Sequence, residues 1–476
     1  MTSLYETRVM QKHAVVIGAG MSGLSAARVL ERFFEKITVL DRDDLPAGPA
    51  ARAGVPQARH VHALVTRGAQ ELDGLFPGFL AELVEKGGHG LDVPHDGAIL
   101  RPSGWQQPMR SGCTVYFATR DLTESIVRRR LREGGRVEIL PRTEAAGLYV
   151  HPDAPGRVAG VHAVQRGGGA NLTLAADLVI DASGRSSKAP SWLASLGAEV
   201  PREEVVDCHS GYSSRWYEAP EALPPDVWWK MVWLDPSPAE DHFIGGVLFP
   251  VEERRWIITL IGYAKHYPPS DEEGFFRTLG ALRSPILQRM AELGRPISPI
   301  YSSRANQNRL RRFDKLANPL PGFVALSDSV CTFNPMYGQG MTVAALSARV
   351  LESTLERVSL GDPGFERVFF GNLHRAIKDA WNLATSADMR FPGAKSDLPR
   401  PSKFASFFGD SILRTMTHDA EVLRRVSPVY YMLKPTRSLF EPELAARVLL
   451  GGAAGLAAAR FHPRPVPPNP PPRPES

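Results

Sequence analysis

The sequence predicts an α/β protein: a doubly wound parallel sheet carrying a dinucleotide site, joined to a second, mixed and mostly antiparallel sheet (α+β) and a helical C-terminal region. Three observations carry this. The chain opens with a buried strand, a GxGxxG loop, an amphipathic helix and a second buried strand. Short continuous apolar runs return at Asp177–Ile180 and Phe323–Leu326, as strands covered on both faces require. Between them, residues 205–263 alternate aromatic and β-branched side chains with polar ones, the pattern of a separate antiparallel sheet.

Ala14–Ile17 is the first buried strand. A helix is predicted over Ser22–Glu35, with Leu24, Ala27, Leu30 and Phe34 on one face and Arg28, Glu31, Arg32 and Glu35 on the other. Ile37–Leu40 is the second strand, and the βαβ order implies a parallel pair with a right-handed crossover. Arg120–Arg132 reads as a helix with Leu122, Ile126 and Leu131 inward. Short strands near Gly147–Val150, Val158–Val164 and Asn171–Leu174 lead into Asp177–Ile180. The second sheet is predicted from Tyr212–Tyr217, Val227–Leu234, Phe243–Phe249 and Trp256–Tyr263. A helix over Tyr337–Glu356 follows Phe323–Leu326, and residues 364–460 read as helical. The proline-rich tail His462–Ser476 is predicted to be disordered.

With 476 residues, 43% hydrophobic and 22% charged, the composition is that of a globular chain of two or three domains. Cys113, Cys208 and Cys331 form no CxxC, so neither a disulfide framework nor a metal site is expected, and a reducing cytoplasm fits. Met1–His13 lacks an apolar core, and no run of about 18 apolar residues exists, so neither a signal peptide nor a spanning helix is expected. The Ala-rich stretch 442–461 is broken by Gly451, Gly452 and Gly455; it either packs on the domain or touches a membrane surface weakly. The net charge of +5 comes from dispersed arginines, which argues against nucleic acid and suits a phosphate-bearing cofactor.

Gly18-Ala19-Gly20-Met21-Ser22-Gly23 places its first Gly at the tight turn, its second where backbone N–H groups approach a pyrophosphate, and its third where helix meets sheet. Asp41, followed by Arg42, ends the second strand, where a carboxylate accepts hydrogen bonds from an adenosine ribose. This motif does not choose between NAD and FAD. Gly167–Gly169 is a hairpin turn, so there is no second such loop for NADPH.

The segments DLVIDASGRSSK (Asp177–Lys188) and FVALSDSVCTFNPMYGQGM (Phe323–Met341) resemble two fingerprints of the FAD-dependent para-hydroxybenzoate-hydroxylase-like superfamily, with its Rossmann-type FAD domain. The resemblance implies cofactor contacts near Asp181, a bond from Asp328 to the ribityl chain, and a helix start at Gly338, Gln339, Gly340 and Met341 facing the flavin N1–C2=O edge. A helix dipole there stabilises anionic reduced flavin. Ser327 departs from the family, which usually has Gly. Arg120 with Leu122 matches a cofactor-reaching arginine of the family, although read alone it is a solvated helix residue. Gln57, Arg59, His60 and His62 either lie beside the flavin or cap the helix that follows.

A narrower resemblance, from residue 14 to about 392, is to the flavin epoxidases of polyether antibiotic biosynthesis. It rests on Gly54–Gln57 with His60 and His62, Tyr212 with Arg215, Pro250 with Arg255-Trp256, Ser303-Arg304 with Asn306, Phe333-Asn334-Pro335 with Tyr337-Gly338, and Ala384-Thr385 with Asp388. It implies epoxidation of alkenes in a lipophilic polyketide-type intermediate by a C4a-hydroperoxyflavin, with O2 as oxidant and NAD(P)H or a partner flavin reductase as electron donor. The flavin does the chemistry, so no catalytic side chain is expected. Trp229, Phe333 and Pro335 are candidate substrate contacts, the alternative for each Trp being the core. Arg215 either meets a substrate carboxylate or pairs with a neighbour such as Glu218.

Two other chemistries fit the same motifs: an aromatic-ring hydroxylase, and a prenyl-chain reductase or other non-oxygenating flavoenzyme. A halogenase is disfavoured, because Trp229 and Trp233 have the wrong spacing for WxWxIP. The predicted units are 10–75, 110–204 and 298–360 (FAD), 76–109 and 205–297 (substrate sheet), 361–461 (helical) and 462–476 (tail).

Overall fold

In the computed structural model, which describes residues 11–304, 307–461, 467 and 469–472, the predicted parallel sheet has five strands. Their order is Phe323–Ala325, Leu178–Asp181, Gln11–Ile17, Phe34–Leu40 and Val137–Leu140, and every pairing is parallel. Ala14, Val15 and Val16 are fully buried, which explains a run with no polar alternation. The helices Met21–Leu30, Arg120–Glu133 and Gly340–Arg357 cover this sheet, the first packed between the other two. The first helix stops at Leu30 rather than Glu35. Residues 31–33 turn, and Phe34, fully buried, opens the next strand opposite Gln11.

The second sheet has eight strands. Gly211–Glu218, Arg255–Gly262, Ile244–Val251 and Met231–Leu234 are antiparallel neighbours, and Met231–Leu234 then pairs in parallel with Gly97–Arg101. The expected strand Val227–Leu234 begins only at Met231, because Val227 closes a turn onto Pro224. Trp105, Trp229 and Trp256 are in the core of this unit. Two boundaries differ from the sequence reading. Tyr301–Ser303 pairs with Gly211–Glu218 and so belongs to the second sheet, and the helix Phe79–Glu85 packs on Arg120–Glu133 in the first unit.

The C-terminal helices Phe365–Asp388, Lys403–Met416, Ala420–Tyr430 and Pro442–Phe461 follow, the last three sharing an apolar cluster of Phe408, Ile412, Val422, Val426, Leu444 and Val448. Gly451 and Gly452 let the last helix press onto Thr415 and Ser411. Among the described residues no helix is long and apolar enough to cross a membrane. Of the tail expected to be disordered, residues 467 and 469–472 are described. Pro467 and Pro471 accept hydrogen bonds from the indoles of Trp105 (2.7 Å) and Trp228 (3.1 Å). The rest of the tail, 462–466, 468 and 473–476, lies outside the described residues, as does Asn306.

Candidate functional site

One half-open cavity of about 1710 Å³ runs between the two sheets and under the C-terminal helices. Pockets for a single drug-sized molecule occupy roughly 300–1,000 Å³, so this volume suits a dinucleotide and a substrate together.

The Gly loop forms one end. Gly18 has φ +105°, and a Cβ there would sit 2.5 Å from the Ala182 carbonyl oxygen; at Gly23 a Cβ would fall 1.8 Å from the Gly18 oxygen. Only glycine satisfies either place, which leaves the Gly20, Met21 and Ser22 end of the helix bare toward the cavity. That helix has no side-chain cap and no acid in its first turn. Asp41 accepts from Ala19 N–H (2.7 Å) and Asp43 N–H (2.9 Å), so its carboxylate also braces the loop. Arg42 lies exposed at the cavity edge.

Behind the loop, charges that the sequence reading did not connect form one buried network. Arg52 reaches Glu124 (2.8 Å), Asp43 (3.1 Å) and Asp41 (3.2 Å), while Arg120 and Arg128 also reach Glu124, at 2.9 and 3.2 Å. Three guanidinium groups meet three carboxylates, so the desolvated set is near neutral. Arg120 is 8% exposed, which removes the solvated alternative, and its Nε is buried without a partner beside the cavity. In the sequence the spacing of Arg120, Glu124 and Arg128 looks like an ordinary solvated ladder; only burial distinguishes it.

Asp181 corrects the sequence reading. Its fully buried carboxylate accepts from Ser183 N–H (2.9 Å) and from the Ser183 and Ser187 hydroxyls (both 2.5 Å), and it does not line the cavity. It shapes the turn that presents Ala182, Ser183, Gly184 and Arg185 instead.

Asp328 does line the cavity, and its carboxylate accepts no hydrogen bond from a described residue. Burial raises its pKa to about 6, against the pull of Arg185, Arg120 and Arg309. Ser327 before it holds φ +47°, a left-handed conformation that suits glycine better. Beyond it, Gly338 (φ +64°) ends the turn Pro335–Tyr337, so the long helix starts at Gly340, not Tyr337. This helix too has no side-chain cap, and Gln339, Gly340 and Met341 line the cavity. Gln339 Oε1 and Thr342 Oγ1 are buried without partners.

Residues that the epoxidase resemblance singled out separately meet in one network under this loop. Asp388, fully buried, accepts from Tyr337 Oη (2.5 Å), Asn308 Nδ2 (2.6 Å) and Asn334 Nδ2 (3.1 Å). Tyr212 donates to Asn334 and accepts from Met336 N–H (3.0 Å). Burial lifts the Asp388 carboxyl to about 6 even though these donors favour its charged form.

His60 and His62 also line the cavity, His60 bonded to Ser214 Oγ (2.8 Å), with both rings pushed down to about 4, chiefly by burial. Val65 starts the next helix without a side-chain cap, so Gln57, Arg59, His60 and His62 do not cap it. Arg59 stacks over Tyr301 at the cavity edge.

The other end is apolar. Met231, Phe249 and Tyr263 of the second sheet face Phe391, Leu413 and Met416 of the C-terminal region. Phe333 and Pro335 line the cavity, but two proposed contacts do not reach it. Trp229 is buried in the sheet's own core, and Trp233 takes the place at the cavity. Arg215 bonds Ser298 O (3.2 Å) and Glu272 (2.9 Å), not a cavity group and not Glu218, which pairs with Arg295. The wall from the C-terminal helices had no counterpart in the sequence motifs.

The sequence family model described as FAD dependent oxidoreductase matches residues 14–202. Protein Rv3254 of Mycobacterium tuberculosis (strain ATCC 25618 / H37Rv) is 36% identical over 405 residues, 82% of each chain. The flavin-dependent brominase Bmp2 superposes with a TM-score of 0.63 at 13% identity, covering 94% of this chain and 99% of its own. The oxygenase acting on 2-methyl-3-hydroxypyridine-5-carboxylic acid superposes with a TM-score of 0.56 at 16% identity, covering 80% of this chain and 92% of its own. A shared fold that carries bromination in one protein and oxygenation in another does not choose the chemistry of a third.

Proposed function

The chain belongs to the FAD-dependent oxidoreductases, and from that premise we propose that it is a monooxygenase that epoxidises an alkene of a lipophilic, polyketide-type substrate. The observation that carries the proposal is the division of one cavity: unpartnered polar groups at one end, aromatic and aliphatic walls at the other, and the uncapped helix start at Gly340 among the groups that line it.

The polar end fits FAD. Two uncapped helix starts, the free carboxylate of Asp328 and the orphaned Ser22 Oγ, Arg120 Nε and Gln339 Oε1 all want a polar ligand. The Gly20–Ser22 backbone would hold the pyrophosphate, Asp328 would accept from the ribityl chain, and the N–H groups at Gly340 and Met341 would face the electron-rich edge of the ring. Bound and reduced by NAD(P)H or a partner flavin reductase, FAD supplies the electrons and the site at which O2 is activated. The Asp388 network fixes the turn carrying Met336 and Tyr337, and the apolar walls exclude water and orient the substrate.

Phenol hydroxylation profits from a nearby base or hydrogen-bond acceptor that activates the ring. An alkene needs no deprotonation. Turnover of a polyene substrate under oxygen-18 gas should give an epoxide with one labelled atom, and none when only the water is labelled. A product gaining two hydrogens and no oxygen would establish the reductase reading instead.

A further inference from the structure

We propose that the substrate carries a carboxylate, and that Arg414 and Arg400 hold it at the cavity wall formed by the C-terminal region; this rests on the reading of that end as the substrate site. Charge returns there among the apolar side chains. Arg101, Arg390, Arg400 and Arg414 line the cavity, and so do Asp235 and Asp410. The two acids are spent on the first two arginines: Arg101 reaches Asp235 at 3.1 Å, and Arg390 pairs with Asp410. Arg414, half-buried, has no ion pair or hydrogen bond to a described residue. Arg400, exposed, makes one long contact, 3.4 Å, to the Ala394 carbonyl. This wall therefore bears two positive charges with no described carboxylate against them.

The position of Arg414 makes its freedom specific. An aspartate and an arginine four residues apart on a helix ordinarily pair with each other. Arg414 follows Asp410 by four residues on the helix Lys403–Met416, yet Asp410 turns to Arg390 and leaves the Arg414 guanidinium without a partner. Two hydroxyls stand with these arginines. Tyr430 and Tyr431 line the cavity, Tyr430 within electrostatic reach of Arg101 and Arg390, and neither phenol is hydrogen-bonded to a described residue. Burial pushes both phenols up, so they keep their protons and remain donors.

A carboxylate is an acceptor only, and the planar arginine fork matches it with two parallel bonds. Leu413 and Met416 on the same helix, and Phe391 next to Arg390, line the cavity as well, so the body attached to that carboxylate is hydrocarbon. The ligand is an amphiphilic acid, held by its head at this wall. Arg215, expected from the sequence to meet such a group, is engaged with Ser298 and Glu272 instead.

Calorimetric titration of the protein as purified with a long-chain polyunsaturated fatty acid, and separately with its methyl ester, tests this, because the two probes share one chain and differ only in the head. The acid should bind at least about tenfold more tightly, the worth of one charge-assisted hydrogen bond. Arg414→Gln should remove most of that preference, and Arg400→Gln, at an exposed position where folding is not at risk, should remove a smaller part. Arg414→Lys keeps the charge but loses the fork, and should retain part of the preference. The proposal is overturned if acid and ester bind equally to the wild type, or if the protein carrying both Gln changes keeps the wild-type ratio. No turnover is involved, so this result and the oxygen-18 test of epoxidation fail separately.

Discussion

The two ends of the cavity are built in different ways. The cofactor end is largely loops and helix starts, held by contacts such as the 2.7 Å bond from Ala19 N–H to Asp41 in the first βαβ unit and completed by Asp328 and the helix start at Gly340. The substrate end is mostly side chain, drawn from the hairpin near residue 99, the second sheet, and helices beyond residue 380. A main-chain site tolerates almost no change of residue at its tight points, whereas a side-chain site can be reshaped one residue at a time. The same fold can thus keep its cofactor while changing what it acts on.

The sharpest way to break this contrast is at Gly18. Gly18→Val adds a clash with the Ala182 carbonyl and a strained φ of +105°, and should cost about 2–5 kcal/mol with loss of bound FAD. Thermal unfolding and flavin content check it, and an unchanged midpoint would refute the main-chain account of this end.

Asp328 should have an intermediate effect. Asp328→Ala should weaken FAD binding by about 1–3 kcal/mol, measured by titrating the FAD-free protein. The pH dependence has a definite sign. With the free carboxyl raised from 3.8 to about 6, it is protonated below that value, whereas ribityl hydroxyls donate best to the ionised form. FAD affinity should therefore rise as pH increases through about 6 and be flat there in Asp328→Ala. In the FAD-free protein the same shift means that this group's contribution to stability is full below pH 3.8 and is lost as pH rises through about 6.

The smallest expected effect is at the substrate end. Leu413, half-buried on the helix Lys403–Met416, lines the cavity, and Leu413→Ala should raise KM for an apolar substrate roughly threefold to tenfold, about 1 kcal/mol of lost contact, with FAD content unchanged. Steady-state kinetics beside flavin absorbance measure both. Loss of FAD in this variant would show that the two ends are not separable.

The sequence by itself determined the parallel sheet and the Gly loop, because each depends on spacing within a few residues and on runs of one polarity, whereas Asp328 and a helix start near Gly338 were implied by a family resemblance. It did not determine whether a polar side chain in such a run faces the cavity. Asp181 ends a buried strand and Asp328 follows one, yet the first is consumed by Ser183 and Ser187 while the second accepts no hydrogen bond from the described residues. Tertiary structure alone decided the Arg52–Glu124 network, the exchange of Trp229 for Trp233 at the cavity, the wall from Leu413 and Met416, and the seat of the tail on Trp105 and Trp228. Each of these joins residues from tens to hundreds of positions apart or turns on which face of a strand meets the core. Such contacts are set by how whole sheets and helices pack, and leave no periodic trace in the chain.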